Sequence, residues 1–231
     1  MDVLKFGGTS VANSTNIKQS VSIFTQAKYS NAIVVVSALS GVTDLLIQAA
    51  IDASISNGSY LETLTHIEQK HIVCVNELIE NNNADCIEMV EQHFSELQDI
   101  CEGVYRLGEL TNRTKDRIVS YGELLSSKII SAYLTATNQA HQWIDSREVI
   151  ITDNNFGNAN VDFEKTYSKI NSKFKIQNLK LFLAPGFVAS NESGITTTLG
   201  RGGSDYTAAI FAGAVNAENL EIWTDVSGMM K

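Results

Sequence analysis

Proline occurs once in the 231 residues, at Pro185, so no proline-rich linker marks a domain boundary. Cysteine is almost as scarce. Cys74, Cys86 and Cys101 are odd in number and show no CxxC spacing, which excludes a disulfide framework and reads as buried free thiols in a reducing compartment. The four histidines, His66, His71, His93 and His141, form no HExxH pattern, so no metal site is assigned to them and a packing role, on the surface or half-buried, is expected. No apolar run reaches transmembrane length, and Met1-Asp2-Val3-Leu4-Lys5 does not open a signal peptide; a cytoplasmic protein is expected. Basic charge is in deficit, with 17 Lys and Arg against 26 Asp and Glu and a net charge of −9. That balance argues against bulk binding to nucleic acid or an anionic membrane. Two nucleotide-binding signatures are also missing: there is no GxGxxG and no glycine loop ending in Gly-Lys-Ser/Thr.

What is present suits a globular α/β chain: 44% hydrophobic and 19% charged residues. One stretch organises it, Leu199-Gly200-Arg201-Gly202-Gly203-Ser204-Asp205, followed by a helix expected over Tyr206 to Val215. Ser204 or Asp205 suits the N-cap. Glycines ahead of a helix let backbone N–H groups approach an anion, which the helix N-terminus favours. Arg201 adds a planar fork for a carboxylate or phosphate, and Asp205 a carboxylate for a metal ion or an ammonium.

In chain order, Val3 to Phe6 reads as a strand carrying Lys5, followed by Gly7-Gly8-Thr9-Ser10 and a helix from about Ser14 to Lys28 with Ile17, Val21 and Phe24 on one face. Strand, glycine turn and helix make a phosphate cradle, with Lys5 over the phosphates. Ile33-Val34-Val35-Val36 is a β-branched run suited to a strand buried on both faces. Ser37 and Thr43 follow it and, taken alone, are caps for a helix opening at Gly41 and running through Ile51. Between Tyr60 and Glu102 the apolar spacing becomes helical on both sides of Asn81-Asn82-Asn83, an αα-hairpin serving as scaffold or partner surface. Thr111 to Ala136 is helical, and Glu123 within it is expected to face solvent as most helical glutamates do. Strands are expected at His141 to Asp145, Val149 to Asp153, Lys180 to Ala184 and Leu220 to Trp223, and a helix over Val161 to Lys175, while Ile195 to Leu199 leads into the glycine-arginine stretch.

Five motifs in order, Lys5-Phe6-Gly7-Gly8-Thr9-Ser10, Val36-Ser37-Ala38, Tyr121-Gly122-Glu123, Gly200 to Asp205 and Glu221-Ile222-Trp223-Thr224-Asp225-Val226, resemble those of the aspartokinases of the amino-acid kinase superfamily. The hairpin and Trp143-Ile144-Asp145-Ser146-Arg147 look most like the kinase portion of bifunctional aspartokinase–homoserine dehydrogenases. The resemblance implies a three-layer αβα sandwich with a mainly parallel central sheet, residues 1–231 forming the catalytic domain with a helical insert at 60–102. Against the family pattern the chain is truncated at the C-terminus, without the last kinase elements and regulatory ACT domains, so the activity of this piece is a separate question from that of its parent. The implied reaction is phosphorylation of the side-chain carboxylate of L-aspartate by MgATP, the first step toward Lys, Thr, Met and Ile. By resemblance Lys5 and Asp205 are catalytic. Lys5, Gly7, Gly8, Ser37, Gly203, Thr224 and Asp225 hold ATP, and Thr43, Glu123, Arg201 and Ser204 hold aspartate. Mg2+ arrives with ATP rather than on an assigned protein ligand, and the parent is expected to be a homo-oligomer. The alternatives are a sibling kinase with another acyl substrate and an inactive binding or dimerisation fragment.

Overall fold

A computed structural model describes residues 1–29, 31–175 and 180–224. Among these, strands β1 (Asp2–Phe6), β2 (Ala32–Val36), β3 (Gln142–Trp143), β5 (Leu181–Pro185) and β8 (Asn219–Trp223) form a sheet in the order β3-β5-β2-β1-β8. Every pairing in it is parallel. Parallel sheets need cover on both faces, and alternate residues here point into two separate cores. Leu4, Phe6, Val34, Val36 and Leu183 meet α1 (Ser14–Phe24), α2 (Val42–Ser54), the hairpin α3 (Tyr60–Leu78) and α4 (Ala84–Leu107), and α5 (Asn112–Ala136). Val3, Ile33, Val35, Phe182 and Ala184 meet α6 (Ser146–Val149), α7 (Phe163–Lys175) and α8 (Gly203–Val215). The result is the expected three-layer α/β sandwich. A second, smaller sheet, β4 (Ile151–Thr152), β6 (Val188–Asn191) and β7 (Thr196–Thr198), adds the one antiparallel pair among the described strands, β6 with β7.

Several boundaries differ from the sequence reading. The first helix stops at Phe24, where the Thr25 hydroxyl donates to the Val21 carbonyl. The chain then turns Tyr29 inward, and its hydroxyl donates to Glu221 at 2.6 Å. α2 runs on to Ser54 and starts from Gly41 at φ +77° with no side-chain cap, so neither Ser37 nor Thr43 caps it. The strand expected to begin at Val149 begins at Ile151, because Asp145 accepts from the Arg147 N–H and nucleates the short α6. β6 was not anticipated; its Val-Ala-Ser-Asn sequence carries too little apolar signal. The hairpin continues past Glu102 to Leu107.

The three cysteines are buried free thiols, with burial pushing Cys74 and Cys101 up to about 12 and Cys86 to about 11. His71 is fully buried in the hairpin against Phe94. Its Nδ1 pairs with the Ile67 carbonyl at 2.7 Å, while Nε2 has no partner among the described residues. Burial pushes this imidazole down to about 4. A histidine whose folded pKa lies below its unfolded value near 6.5 binds protons more readily when unfolded. It therefore subtracts stability as pH falls from about 6.5 toward 4. His71→Leu is expected to reduce the loss of melting temperature between pH 7 and pH 5, measured by thermal denaturation. An undiminished loss in the variant would assign the acid sensitivity to other groups.

Candidate active site

Parallel strands bring their C-terminal ends to one edge, where loops from several of them share a crevice. Here that crevice is a cleft of about 860 Å³. It takes Lys5, Gly7 and Gly8 from β1 and its turn, Ser37 and Thr43 from the β2–α2 connection, and Glu123 from α5. Arg201, Gly203, Ser204 and Asp205 enter from the β7–α8 turn, and Thr224 from the end of β8. Every described residue of the expected site thus lies in one place. Asp225 falls outside the described residues.

The period-2 alternation of β1 places Lys5. Leu4 and Phe6 point toward α1 and α5, and Val3 points toward α8. Lys5 shares the parity of Val3, and its side chain meets the first turn of α8, where Asp205 stands. The ammonium lies 2.7 Å from Asp205 Oδ1. Lys5 is 9% exposed. An ammonium this deep requires a carboxylate, since an unpaired buried charge costs several kcal/mol. The Asp205 side chain is 48% exposed, so the pair sits at the floor of the cleft with its carboxylate open to a ligand.

The expected cap on α8 is replaced. The helix begins at Gly203 behind Gly202, which adopts φ +74° with no side-chain cap. A left-handed glycine performs the reversal that a capping hydroxyl would otherwise stabilise, and the Ser204 and Asp205 side chains remain in the cleft. Gly203 is also demanded by space, because a Cβ there would lie 2.7 Å from the Phe187 ring. Two of the three expected phosphate donors are already engaged. The Gly7 N–H donates to Trp223 O at 3.2 Å and the Gly203 N–H to Gly200 O at 3.0 Å. The Tyr206 N–H is likewise bonded to Gly202 O, so anion binding by main chain falls to Gly8 and to the Ser204 and Asp205 N–H groups in the first turn of α8.

Glu123 departs from its expected solvent-facing position. It is 4% exposed, and Oε2 has no partner among the described residues. Gly122 beside it allows α5 to approach the loop after β2 so closely that a Cβ would meet Ala38 Cβ at 3.0 Å. Ser126 clamps the same contact by donating to Ser37 O at 2.7 Å. Burial pushes the Glu123 carboxyl up to about 8, against a smaller opposing effect of the Ala38 backbone hydrogen bond.

Two cleft residues escaped the sequence reading. Asp116, seven positions before Glu123 on α5, is 2% exposed and accepts three hydrogen bonds, from Gly157 N–H (2.9 Å), Thr198 N–H (3.0 Å) and the Thr198 hydroxyl (2.8 Å). Phe187 holds φ +65°, a conformation rare for an aromatic residue, pinned by its N–H donating to the Thr207 hydroxyl. Neither carries a local motif; only the fold brings them to the cleft. Among the described residues no group of three or more His, Cys, Asp or Glu could hold a metal ion.

The profile described as Amino acid kinase family matches residues 2–231. Arabidopsis thaliana bifunctional aspartokinase/homoserine dehydrogenase 2, chloroplastic, is 31% identical over 229 residues, covering 98% of this chain and 25% of that protein. The crystal structure of E. coli aspartokinase III in complex with aspartate and ADP superposes with a TM-score of 0.91 at 33% identity, over 99% of this chain and 50% of that one. Clostridium acetobutylicum aspartate kinase gives a TM-score of 0.77 at 29% identity, covering 99% of this chain and 48% of that one. The chain thus spans a quarter of the bifunctional relative and about half of each solved one.

The raised Glu123 carboxyl fixes the sign of a stability effect. Its folded pKa of about 8 lies above the unfolded value near 4.5, so the folded state holds a proton that the unfolded state has lost. Stability contributed by this group falls as pH rises from about 4.5 to 8. Glu123→Gln keeps the shape without the ionisation. The melting temperature of Gln variant minus parent is expected to increase from pH 5 to pH 8; a constant difference would mean that Glu123 is ionised throughout.

Proposed function

The chain belongs to the amino acid kinase family, and from that membership we propose that it transfers the γ-phosphoryl group of ATP to the side-chain carboxylate of L-aspartate, giving 4-phospho-L-aspartate and ADP. The observation that carries the reading is the convergence in one cleft of the Lys5–Asp205 pair, the Arg201 guanidinium and the Glu123 carboxyl, unpartnered among the described residues. A relative whose structure was determined with aspartate and ADP supports it. Residues 1–231 are read as the catalytic domain, with the hairpin at 60–102 as an insert within it.

The chemistry fits these groups. A carboxylate with a reference pKa near 4 is already ionised at neutral pH, so no general base is needed. The obstacle is repulsion between that anion and the triphosphate, and catalysis reduces to positioning and charge stabilisation. The carboxylate oxygen attacks the γ-phosphorus while the bond to the ADP oxygen breaks. Lys5, held by Asp205, neutralises charge on the group in transit, with Ser37 beside it and Gly8 and the α8 N-terminus donating to the phosphates. Thr224 faces the nucleoside, a role the resemblance also gives to Asp225. Arg201 clamps a substrate carboxylate with Thr43 and Ser204 completing the pocket, and Glu123 receives the α-ammonium. A magnesium ion would be carried on the nucleotide, with Asp205 the carboxylate that would face it across the hydration shell. When bound it supplies charge neutralisation on the β- and γ-phosphates.

Lys5→Ala is expected to lower kcat by about 10²–10³ in a coupled ADP-release assay, the loss typical of a preorganised charge donor. Arg201→Ala is expected to raise the KM for aspartate about tenfold or more with the ATP KM little changed. Equal movement of both would contradict the clamp. A panel of other amino and acyl acids in the same assay separates aspartate from a sibling substrate, and turnover of none by the parent would leave a binding fragment.

Binding an ammonium must also lower the Glu123 pKa from about 8, because a nearby cation favours the carboxylate. Aspartate binding at pH 7 is then expected to release a proton, and affinity to rise between pH 6 and pH 8. Calorimetry in buffers of different ionisation enthalpy checks this, with Glu123→Gln releasing none. Identical heats across buffers for the parent would remove Glu123 as the ammonium partner.

A further inference from the structure

We propose that Asp116 is the positioning residue of the amino-acid half of the cleft: its buried carboxylate ties the loop at 153–160 to the end of β7 and thereby sets where Arg201 presents its guanidinium. The inference rests on the reading of Arg201 as the substrate clamp.

Arg201 has little to orient it. It is exposed, and among the described residues its guanidinium forms no ion pair. Its position is set by the turn that carries it, and that turn is bracketed by what Asp116 holds. Thr198, three residues before Arg201, gives Asp116 both its N–H and its hydroxyl. Gly157, at the tip of the neighbouring loop, gives its N–H to the same carboxylate oxygen that receives the Thr198 N–H. The loop then lies directly on the turn. The Ala159 N–H donates to Thr198 O at 2.9 Å, and a Cβ on Gly200 would come within 2.3 Å of Asn158 Oδ1. The neck of the loop is closed separately by Asp153, which accepts from Asn155 and Asn160. Among the described residues Asp116 accepts the one hydrogen bond from its tip to α5, the helix that also carries Glu123. One rigid helix thus places both the ammonium partner and, through Thr198, the carboxylate clamp.

Asp116 is 2% exposed and has no Lys or Arg ion-pair partner among the described residues. Burying an unpaired carboxylate is costly, and three donors offset that cost only while all three hold their geometry. The same dependence makes the contact stiff. Phe156 and Gly157 wall the cleft beside it, so slack in this tether would shift both a wall and the clamp.

The test compares Asp116→Ala and Asp116→Asn in the 231-residue chain by calorimetric titration with aspartate and with ADP, alongside amide hydrogen exchange. The Ala variant is expected to weaken aspartate binding about tenfold and ADP by less than about twofold. Asn is expected to recover to within about threefold of the parent, since its carbonyl accepts the two N–H groups while the Thr198 hydroxyl reverses to accept from its NH₂. Exchange at Gly157 and Thr198 should accelerate in the Ala variant while Leu4 and Val34 in the sheet do not change. Unchanged aspartate affinity in Asp116→Ala, equal weakening of both ligands, or unchanged exchange at Gly157 and Thr198 overturns the proposal. If Asp116→Ala does not fold, Thr198→Val removes the hydroxyl donor alone and is expected to give the same selective loss, about threefold; no selectivity there overturns it as well. A parent that binds no aspartate refutes the proposed function and with it the clamp, whereas the exchange measurement still decides whether the tether exists.

Discussion

An ammonium and a carboxylate, brought together from positions 200 residues apart in the chain, fix the centre of this molecule. Lys5 leaves an interior strand of the parallel sheet near its C-terminal end, and Asp205 stands in the first turn of the helix that covers that face. Neither position is free to vary alone. Moving Lys5 by one residue along β1 would turn it into the opposite core, among Leu4 and Phe6 and the helices packed on them. Starting α8 one residue later would rotate Asp205 by about 100° around the helix axis. The glycine cap at Gly202 and the tight contact of Gly203 with Phe187 hold that start in place. The pair therefore records the sheet register, the helix start and the packing between them in a single 2.7 Å contact.

The chemistry-bearing turns were legible because each is local. Lysine before Gly-Gly, hydroxyls after a β-branched strand, and arginine and aspartate around glycines each point to an anion at a strand end, and the parallel sheet gathers those ends. What could not be read was burial within α5. Between Asp116 and Ile130 nearly every residue is buried, because the helix lies between the sheet and the hairpin and presents no solvent face. A helix covered all round has no polar stripe from which to tell a solvated glutamate from a buried one. Resemblance assigned Glu123 a role; periodicity alone put it in water. Asp116 had neither a motif nor a resemblance to mark it, and its three donors come from segments 41 and 82 residues downstream.

The same limit explains the smaller errors. A capping hydroxyl was expected at α8 and at α2, and both helices begin instead from glycines with positive φ. Sequence preference weighs the cap as a stabilising contact, whereas here the side chains that would cap stay with the cleft. β6 and β7 are four and three residues long and rich in Thr, Ser and Asn, too short and too polar for alternation to register. They pair as a hairpin that carries the chain from Phe187 back to the Arg201 turn.

Asp116 and Glu123 show how one helix treats two buried carboxyls in opposite ways. Seven residues apart, they lie on the same side of α5 and both reach the cleft. Asp116 takes three donors from the protein, so it works as an anchor. Among the described residues Glu123 is left with Oε2 unpartnered, and burial pushes its carboxyl up to about 8. A fold selected for stability alone would satisfy or remove both groups, since each unsatisfied buried polar atom costs about 1–3 kcal/mol. Leaving one satisfied and the other open divides the labour between them. The first fixes geometry, and the second keeps a buried acceptor open toward the cleft.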